Sequence, residues 1–155
     1  MKIILCVICY LLITSSYTQA SERNYIQEAS AAMEKGAIIV HKNETIQADE
    51  LSKRGDVNLI ASLASEAVDA SILRWNGCLV LSRNNVPMCI DQSLTKNAIK
   101  MKLAAAKYAI EQGNKAVAKQ QYRDIIITFT GPAYASYVKQ AEFGLEDLKE
   151  GDKAK

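Results

Sequence analysis

The sequence predicts an all-α protein: an antiparallel stack of helices with one disulfide-closed loop. Apolar residues recur at helical spacing through its C-terminal half, short glycine-containing turns separate the periodic segments, and proline occurs only twice in 155 residues. The composition, with 49% hydrophobic and 23% charged residues, is that of an ordinary globular protein. These observations exclude collagen-like, low-complexity and disordered classes.

The N-terminal segment has the three-part layout of a secretory signal peptide. One positive charge, Lys2, precedes the apolar run 3–13, and small or polar residues follow. The run is shorter than the roughly 20 residues of a membrane-spanning helix, so we expect cleavage before Ser21 and no stable membrane insertion afterwards. The chain is thus predicted to be exported, either periplasmic or secreted. Its predicted divisions are a signal peptide over residues 1–20, a single helical domain over 21–150 and a mobile charged tail over 151–155.

Export changes the interpretation of the four cysteines. Cys6 and Cys9 lie within the predicted signal peptide, which leaves Cys78 and Cys89 in an oxidising compartment. An even count there favours a disulfide, and this one would close the turn-forming segment 79–88. In the chain-entropy model, closing a loop of about ten residues stabilises the fold by about 2 to 3 kcal/mol.

The first part of the mature chain predicts two helices around a short connection. Residues 22–35 have helical spacing and are expected to end at Gly36. The β-branched run 37–41 is too short to assign as a strand, and a brief helix over 46–53 is expected to end at Gly55.

Asp56 is a suitable N-cap for a long helix over residues 57–75. Small alanine and serine side chains on one side of this helix would let a neighbouring helix approach closely. We expect Trp75 in the core rather than as an exposed anchor, and the Asn76-Gly77 pair is expected to end the helix before the disulfide loop.

Three amphipathic helices are predicted from Thr95 onwards. The first two cover residues 96–112 and 115–129, with the turn at Gly113-Asn114 between them, and the third follows Thr130-Gly131-Pro132. Consecutive amphipathic helices joined by short turns imply antiparallel packing.

This region resembles a tetratricopeptide repeat. Small Ala106 and Ala118, the turn at Gly113, the aromatic Tyr122 and the later Pro132 match the pattern of its 34-residue helix-turn-helix unit. In the same register the repeat's tryptophan, leucine, first aromatic and proline positions are occupied by Lys102, Ala105, Ala109 and Thr130.

The resemblance covers a single degenerate repeat, about residues 99–132, and a generic alanine-rich helical hairpin would match several of the same positions. What the resemblance implies is a concave helical face that binds an extended peptide or a partner helix. Stable arrays of this kind need about three units or capping partners.

Motifs for catalysis, metal binding or cofactor binding are not found in the sequence. His41 is the only histidine, and neither a Gly-x-Ser-x-Gly motif nor a phosphate-binding glycine loop occurs. Adjacent carboxylates such as Asp49-Glu50 point about 100° apart on a helix and do not form an acid/base pair. A net charge of +2 and the lack of a basic stripe interleaved with aromatics favour no nucleic-acid partner. The tripeptide Asn43-Glu44-Thr45 matches the N-glycosylation acceptor pattern, which matters only on a eukaryotic export route.

The sequence therefore predicts a non-enzymatic interaction module, an adaptor or scaffold that binds another extracytoplasmic protein without a cofactor. Tyr134 and Tyr137, at the start of the last helix, would line its binding groove. One alternative is an inhibitor or immunity-type protein that blocks an extracytoplasmic enzyme with its disulfide loop, using Arg83, Asn84 and Asn85. A second alternative is a carrier of a small hydrophobic ligand held between the helices.

Overall fold

The structure, a computed structural model, describes the backbone of residues 2–83 and 92–153 and the side chains of residues 24–83 and 92–149. Within these residues it consists of helices and turns without a strand, which confirms the all-α class. The elements are α1 (Lys2–Ser52), α2 (Val57–Arg83), α3 (Ser93–Glu111), α4 (Lys115–Thr128), a 3-10 turn (Pro132–Tyr134) and α5 (Ala135–Lys153).

The five helices are packed in chain order. Each helix packs on the next, and in addition α1 packs on α3, α2 on α4 and α3 on α5. This pattern places α1, α3 and α5 on one side of the stack and α2 and α4 on the other. The core lies between the two layers, where Ile60, Ile99 and Ile125 are fully buried among small alanine side chains.

The predicted end of the first helix at Gly36 is wrong, because α1 continues without a break to Ser52. Gly36 lies where α1 crosses α2, and a Cβ atom on it would come within 2.5 Å of the Ala70 carbonyl oxygen. The β-branched run that follows is helical, with Val40 fully buried in the core. The burial gained by close packing outweighs the roughly 1 kcal/mol that glycine costs inside a helix.

The predicted end of the second helix at Asn76-Gly77 is wrong for the same reason. Helix α2 continues to Arg83, and a Cβ atom on Gly77 would lie 2.6 Å from the carbonyl oxygen of Ala29. Gly36 facing Ala70 and Gly77 facing Ala29 show that α1 and α2 run antiparallel in close contact. Residues 79–83, predicted to be in the disulfide loop, are therefore helical.

The turn between α1 and α2 follows the prediction. Arg54 adopts a left-handed φ of 54°, and the Gly55 N–H donates to the Glu50 carbonyl oxygen at 2.8 Å. The Asp56 carboxylate then accepts from the N–H groups of Asn58 and Leu59 at 2.6 and 3.0 Å, as expected of an N-cap. The Tyr108 hydroxyl donates to the Gly55 carbonyl oxygen at 2.9 Å and so attaches this turn to α3.

The turn between α3 and α4 also follows the prediction. Gly113 has a φ of 75°, which a side chain would disfavour. The Asn114 side chain caps α4 by accepting from the Val117 N–H at 3.2 Å. Ala106 and Ala118, one on each helix, are both fully buried.

A buried polar layer, formed by Asn43, Gln47, Lys102 and Gln121, crosses the stack. The Gln47 amide donates to the carbonyl oxygens of Ile60 and Met101, at 3.0 and 3.2 Å, and so connects α1 with α2 and α3. Within the described residues every buried side-chain nitrogen and oxygen has a partner. The layer therefore holds four helices in one register.

Lys102 occupies the tryptophan position of the resembling repeat, yet its side chain is only 3% exposed. Its ammonium group donates to the Asp124 carboxylate at 2.6 Å, the Ser65 hydroxyl at 3.0 Å and the Gln121 amide oxygen at 3.2 Å. An ion pair and two hydrogen bonds thus hold the Lys102 side chain inside the stack.

Helix α5 covers the outer side of α4. Tyr122 of α4 is buried with its ring against Gly144, where a Cβ atom would overlap it. Burial, together with the negative charge of Asp147, raises the pKa of the Tyr122 hydroxyl. The helix extends to Lys153 and includes residues 151–153 of the predicted tail.

Candidate functional site

An open groove of about 260 Å³ lies where α2 meets the first turn of α3 and the end of α4. We call it the aromatic groove. It is lined by Ser71, Ile72, Trp75, Thr95, Thr128, Phe129 and Tyr134.

The two aromatic side chains beyond α4 form one wall of the groove. Phe129 is buried at the C-cap of α4, where its N–H donates to the Ile125 carbonyl oxygen at 3.1 Å. The Tyr134 ring meets it edge to face, with the ring centroids 5.3 Å apart and the planes at 63°. The Tyr134 N–H donates to the Gly131 carbonyl oxygen at 3.0 Å, so the turn around Pro132 positions the Tyr134 backbone beside Phe129.

The opposite wall belongs to α2. Ile72 is 36% exposed and Trp75 is half-buried, which leaves surface of both open to solvent. Ser71 lies beneath them, fully buried, and its hydroxyl donates to the Val68 carbonyl oxygen at 2.8 Å. The expectation that Trp75 is a core residue is therefore not met, because it is half-buried beside a surface groove and is not among the residues of the core.

The chemistry of the aromatic groove suits an uncharged ligand group. None of the described residues that line it is ionisable at neutral pH, and three aromatic rings supply its walls. The lining residues with a polar side-chain atom are Ser71, Thr95, Thr128 and Tyr134, through their hydroxyl groups, and Trp75, through its indole nitrogen. Its volume is just below the roughly 300 Å³ at which small-molecule pockets begin, so it matches one large side chain better than a whole drug-sized ligand.

The structure separates the two tyrosines that were predicted to bind a partner. Tyr134 lines the aromatic groove, whereas Tyr137 does not and is half-buried against the core. Arg83, the exposed last residue of α2, is the described part of the predicted plug; Asn84 and Asn85 lie outside the described residues. Sequence reasoning missed Ile72 and Phe129, because no local pattern shows that α2 and the end of α4 meet.

Cys78 is fully buried within α2, one residue after Gly77, and not in a loop as predicted. Cys89, its predicted partner, lies outside the described residues. The continuation of α2 past Gly77 accounts for the changed position of Cys78.

A second cavity, of about 280 Å³, lies between the end of α1 and α3. Its rim carries both signs of charge, from Arg54, Lys107 and Glu111, above a floor that includes Tyr108. This mixture does not define a ligand class.

Groups suited to metal binding were sought among the described side chains. No three histidine, cysteine, aspartate or glutamate side chains in that part of the chain come together. His41 is exposed on α1, and its Nδ1 atom lies 3.9 Å from the carboxylate of Glu44, one turn away. Over the same part of the chain, no helix is long and apolar enough to cross a membrane.

Comparisons with protein-family models, with curated proteins and with solved structures found no match to this chain. The functional proposal therefore rests on the geometry of the aromatic groove.

Proposed function

We propose that this chain is an exported, non-enzymatic interaction module that holds an apolar or aromatic side chain of a partner protein in the aromatic groove. The observation that carries the proposal is the convergence of Trp75, Phe129 and Tyr134, from three separate segments, around one open groove.

Aromatic side chains of this kind dominate the energetics of protein interfaces. Trp and Tyr combine a large apolar area with few rotatable bonds, so their ordering on binding costs little entropy. A large apolar side chain moved from water into such a groove gains about 1.5 to 3 kcal/mol. One such side chain can anchor a specific complex when the surface around the groove adds polar contacts to the partner.

Export is part of the proposal, and the register of α1 against α2 is compatible with it. Gly77 of α2 faces Ala29 of α1, and α2 ends six residues after Gly77, at Arg83. Because the two helices run antiparallel, Arg83 is level with about residue 23 of α1. Cleavage before Ser21 would leave the whole of α1 that faces α2 in place.

The Cys78–Cys89 disulfide remains part of the proposal as well. The burial of Cys78 protects a bridge at this position from exchange. Alkylation of the exported, unfolded protein without reductant tests it: both cysteines are expected to stay unmodified, and alkylation of both would contradict the bridge.

We also propose that α3 and α4, followed by α5, are related to a tetratricopeptide-type unit with α5 as its cap. The buried Ala106 and Ala118 and the aromatic packing of Tyr122 on Gly144 support this relationship. Helices alternate between two layers, as in such arrays.

Capture of a partner from the extracytoplasmic fraction tests the proposed function when groove variants are compared side by side. Ile72→Glu places a charge at an already exposed groove position, and Tyr134→Ala removes one wall. Both should lose the protein that the wild type captures. Phe143→Ala, which removes a 55% exposed ring from α5, is the matched control and should retain it.

The alternatives give different results in the same experiment. Loss of the partner only on substitution of Arg83, Asn84 or Asn85 would contradict the groove and indicate an inhibitory loop. Lipid or hydrophobic dye that stays bound through purification of the wild type, and is lost in Ile72→Glu, would instead indicate a ligand carrier.

A further inference from the structure

The glycosylation motif Asn43-Glu44-Thr45 has a structural role that conflicts with glycosylation. We propose that an N-glycan on Asn43 and the folded state exclude each other, so that the chain is suited to an export route without N-glycosylation. The inference about the export route rests on the proposed function, whereas the incompatibility between a glycan on Asn43 and the folded state does not.

Asn43 lies in the C-terminal part of α1, nine residues before its end at Ser52, and is only 3% exposed. Its Nδ2 atom donates to the Leu63 carbonyl oxygen at 3.2 Å and to a carboxylate oxygen of Glu66 at 2.9 Å. An amide nitrogen has two hydrogens, and both are used here to hold α1 against α2.

Glycosylation acts on this same atom. The reaction joins Nδ2 to the anomeric carbon of the first sugar of a lipid-linked diphosphate oligosaccharide, and one Nδ2 proton and the lipid diphosphate leave. The product has a single Nδ2 hydrogen, so one of the two hydrogen bonds is lost.

The attached sugar would also have no room. Val40 and Ala67 are fully buried around the α1–α2 contact, and Leu63 is 8% exposed. This helix pair is the most extensive in the stack, and a glycan between its two helices would keep them apart.

The remaining residue of the motif permits a clean test. Thr45 is exposed, and its hydroxyl donates to the His41 carbonyl oxygen one turn earlier, at 3.0 Å. Thr45→Ala therefore removes the acceptor motif and leaves the Asn43 hydrogen bonds intact.

A matched control places the motif elsewhere. Ala116 is exposed in the first turn of α4, so Ala116→Thr creates an acceptor motif at Asn114 in the turn before α4. Combined with Thr45→Ala, this variant has one acceptor site, at the half-buried Asn114, and none in the core. The Asn114 side chain caps α4 through its oxygen, whereas a glycan is joined to its nitrogen.

The experiment expresses the full chain in cultured insect cells behind a cleavable leader of the host, so that entry does not depend on residues 1–20. The three chains compared are the wild type, Thr45→Ala and Thr45→Ala/Ala116→Thr. Mass spectrometry of peptides measures glycan occupancy at each site, and limited proteolysis and urea unfolding measure the folded state.

We expect Thr45→Ala to be secreted and folded, and the double variant to carry its glycan at Asn114 with the same urea midpoint. Wild-type molecules glycosylated at Asn43 should be confined to the protease-sensitive fraction. A protease-resistant wild type that carries a glycan on Asn43, with the midpoint of Thr45→Ala, would overturn the proposal.

A second measurement keeps the structural part testable on its own. Asn43→Ala, produced without glycosylation, should lower the urea midpoint, and an unchanged midpoint would contradict the role of the amide. Neither experiment involves the aromatic groove, so failure here leaves the proposed function standing, and failure of partner capture leaves this inference standing.

Discussion

Removing the carboxylate of Asp124 should destabilise the protein far more than removing its buried partner, Lys102. The Lys102 side chain is 3% exposed and the Asp124 side chain 30% exposed, and their charged atoms lie 2.6 Å apart. Asp124→Ala leaves the ammonium group buried with only the neutral oxygens of Ser65 and Gln121 as acceptors. A buried charge that loses its partner costs about 3 to 5 kcal/mol.

The expected loss for Asp124→Ala is about 3 kcal/mol, at the low end of this range, because the carboxylate site is open enough to admit water. Lys102→Met removes the charge and keeps an apolar stem of similar length. Asp124 then turns to solvent, and the main loss is one donor to the buried Gln121 oxygen, about 1 kcal/mol.

Urea unfolding followed by far-ultraviolet circular dichroism measures these differences. With a slope of about 2 kcal/mol per molar urea, Asp124→Ala should lower the midpoint by about 1.5 M and Lys102→Met by about 0.5 M. The double variant should return to the value of Lys102→Met, because no unpaired charge remains. Lys100→Met, exposed on the same helix, is the control.

An Asp124→Ala variant no less stable than Lys102→Met would refute this reasoning. It would mean that the ammonium group reaches water when its partner is removed, and that the layer is not closed around it. An additive double variant would refute the coupling between the two side chains.

Two further predictions concern other helix contacts. Gly77→Ala should cost about 1 to 3 kcal/mol in urea unfolding, because its Cβ atom would press on the backbone of α1; exposed Asn76→Ala should stay within about 0.5 kcal/mol, and equal effects would contradict the close approach. Burial and the charge of Asp147 raise the pKa of the Tyr122 hydroxyl, so the folded state favours its protonated form. The stability gained in this way is complete below the unfolded pKa of about 10 and is lost as pH rises through the pKa of the folded state. Tyr122→Phe should therefore lose less stability than the wild type above about pH 10, and parallel losses in urea midpoint would count against the shift.

The turns were predictable from the sequence because their determinants are local. Asp56 caps α2 with its own carboxylate, and Gly113 supplies a positive φ that few other residues adopt. These positions show where α2 begins and where the chain turns between α3 and α4. The all-helical class follows from the periodic segments between such turns.

The same residue type misled the prediction at Gly36 and Gly77. Glycine is typical of helix ends and equally of places where two helices approach closely, and only the partner helix distinguishes the two. Both glycines face the backbone of the neighbouring helix, so each lies at a contact between helices and not at the helix end that was predicted. No local pattern contains that information, because the partner residues lie about 35 to 50 positions away.

The candidate site was predictable only in part. Tyr134 was singled out as an aromatic beside the turn at Pro132, and the structure places it in the aromatic groove. Trp75 and Ile72, both within the predicted helix, join it because α2 packs beside α3 and α4. The sequence shows each aromatic residue separately, and only the packing of the helices brings these residues together in one groove.

Trp75 is the only tryptophan of the chain and lines the aromatic groove, so its fluorescence reports on groove occupancy directly. The decisive measurement is a titration of the wild type with the partner, or with peptides selected from a random library on the wild type and counter-selected on Ile72→Glu. Binding should shift the Trp75 emission, Tyr134→Ala should abolish that shift, and Phe143→Ala should preserve it. Saturable binding that leaves the Trp75 emission unchanged and survives in Tyr134→Ala would contradict the aromatic groove as the functional site.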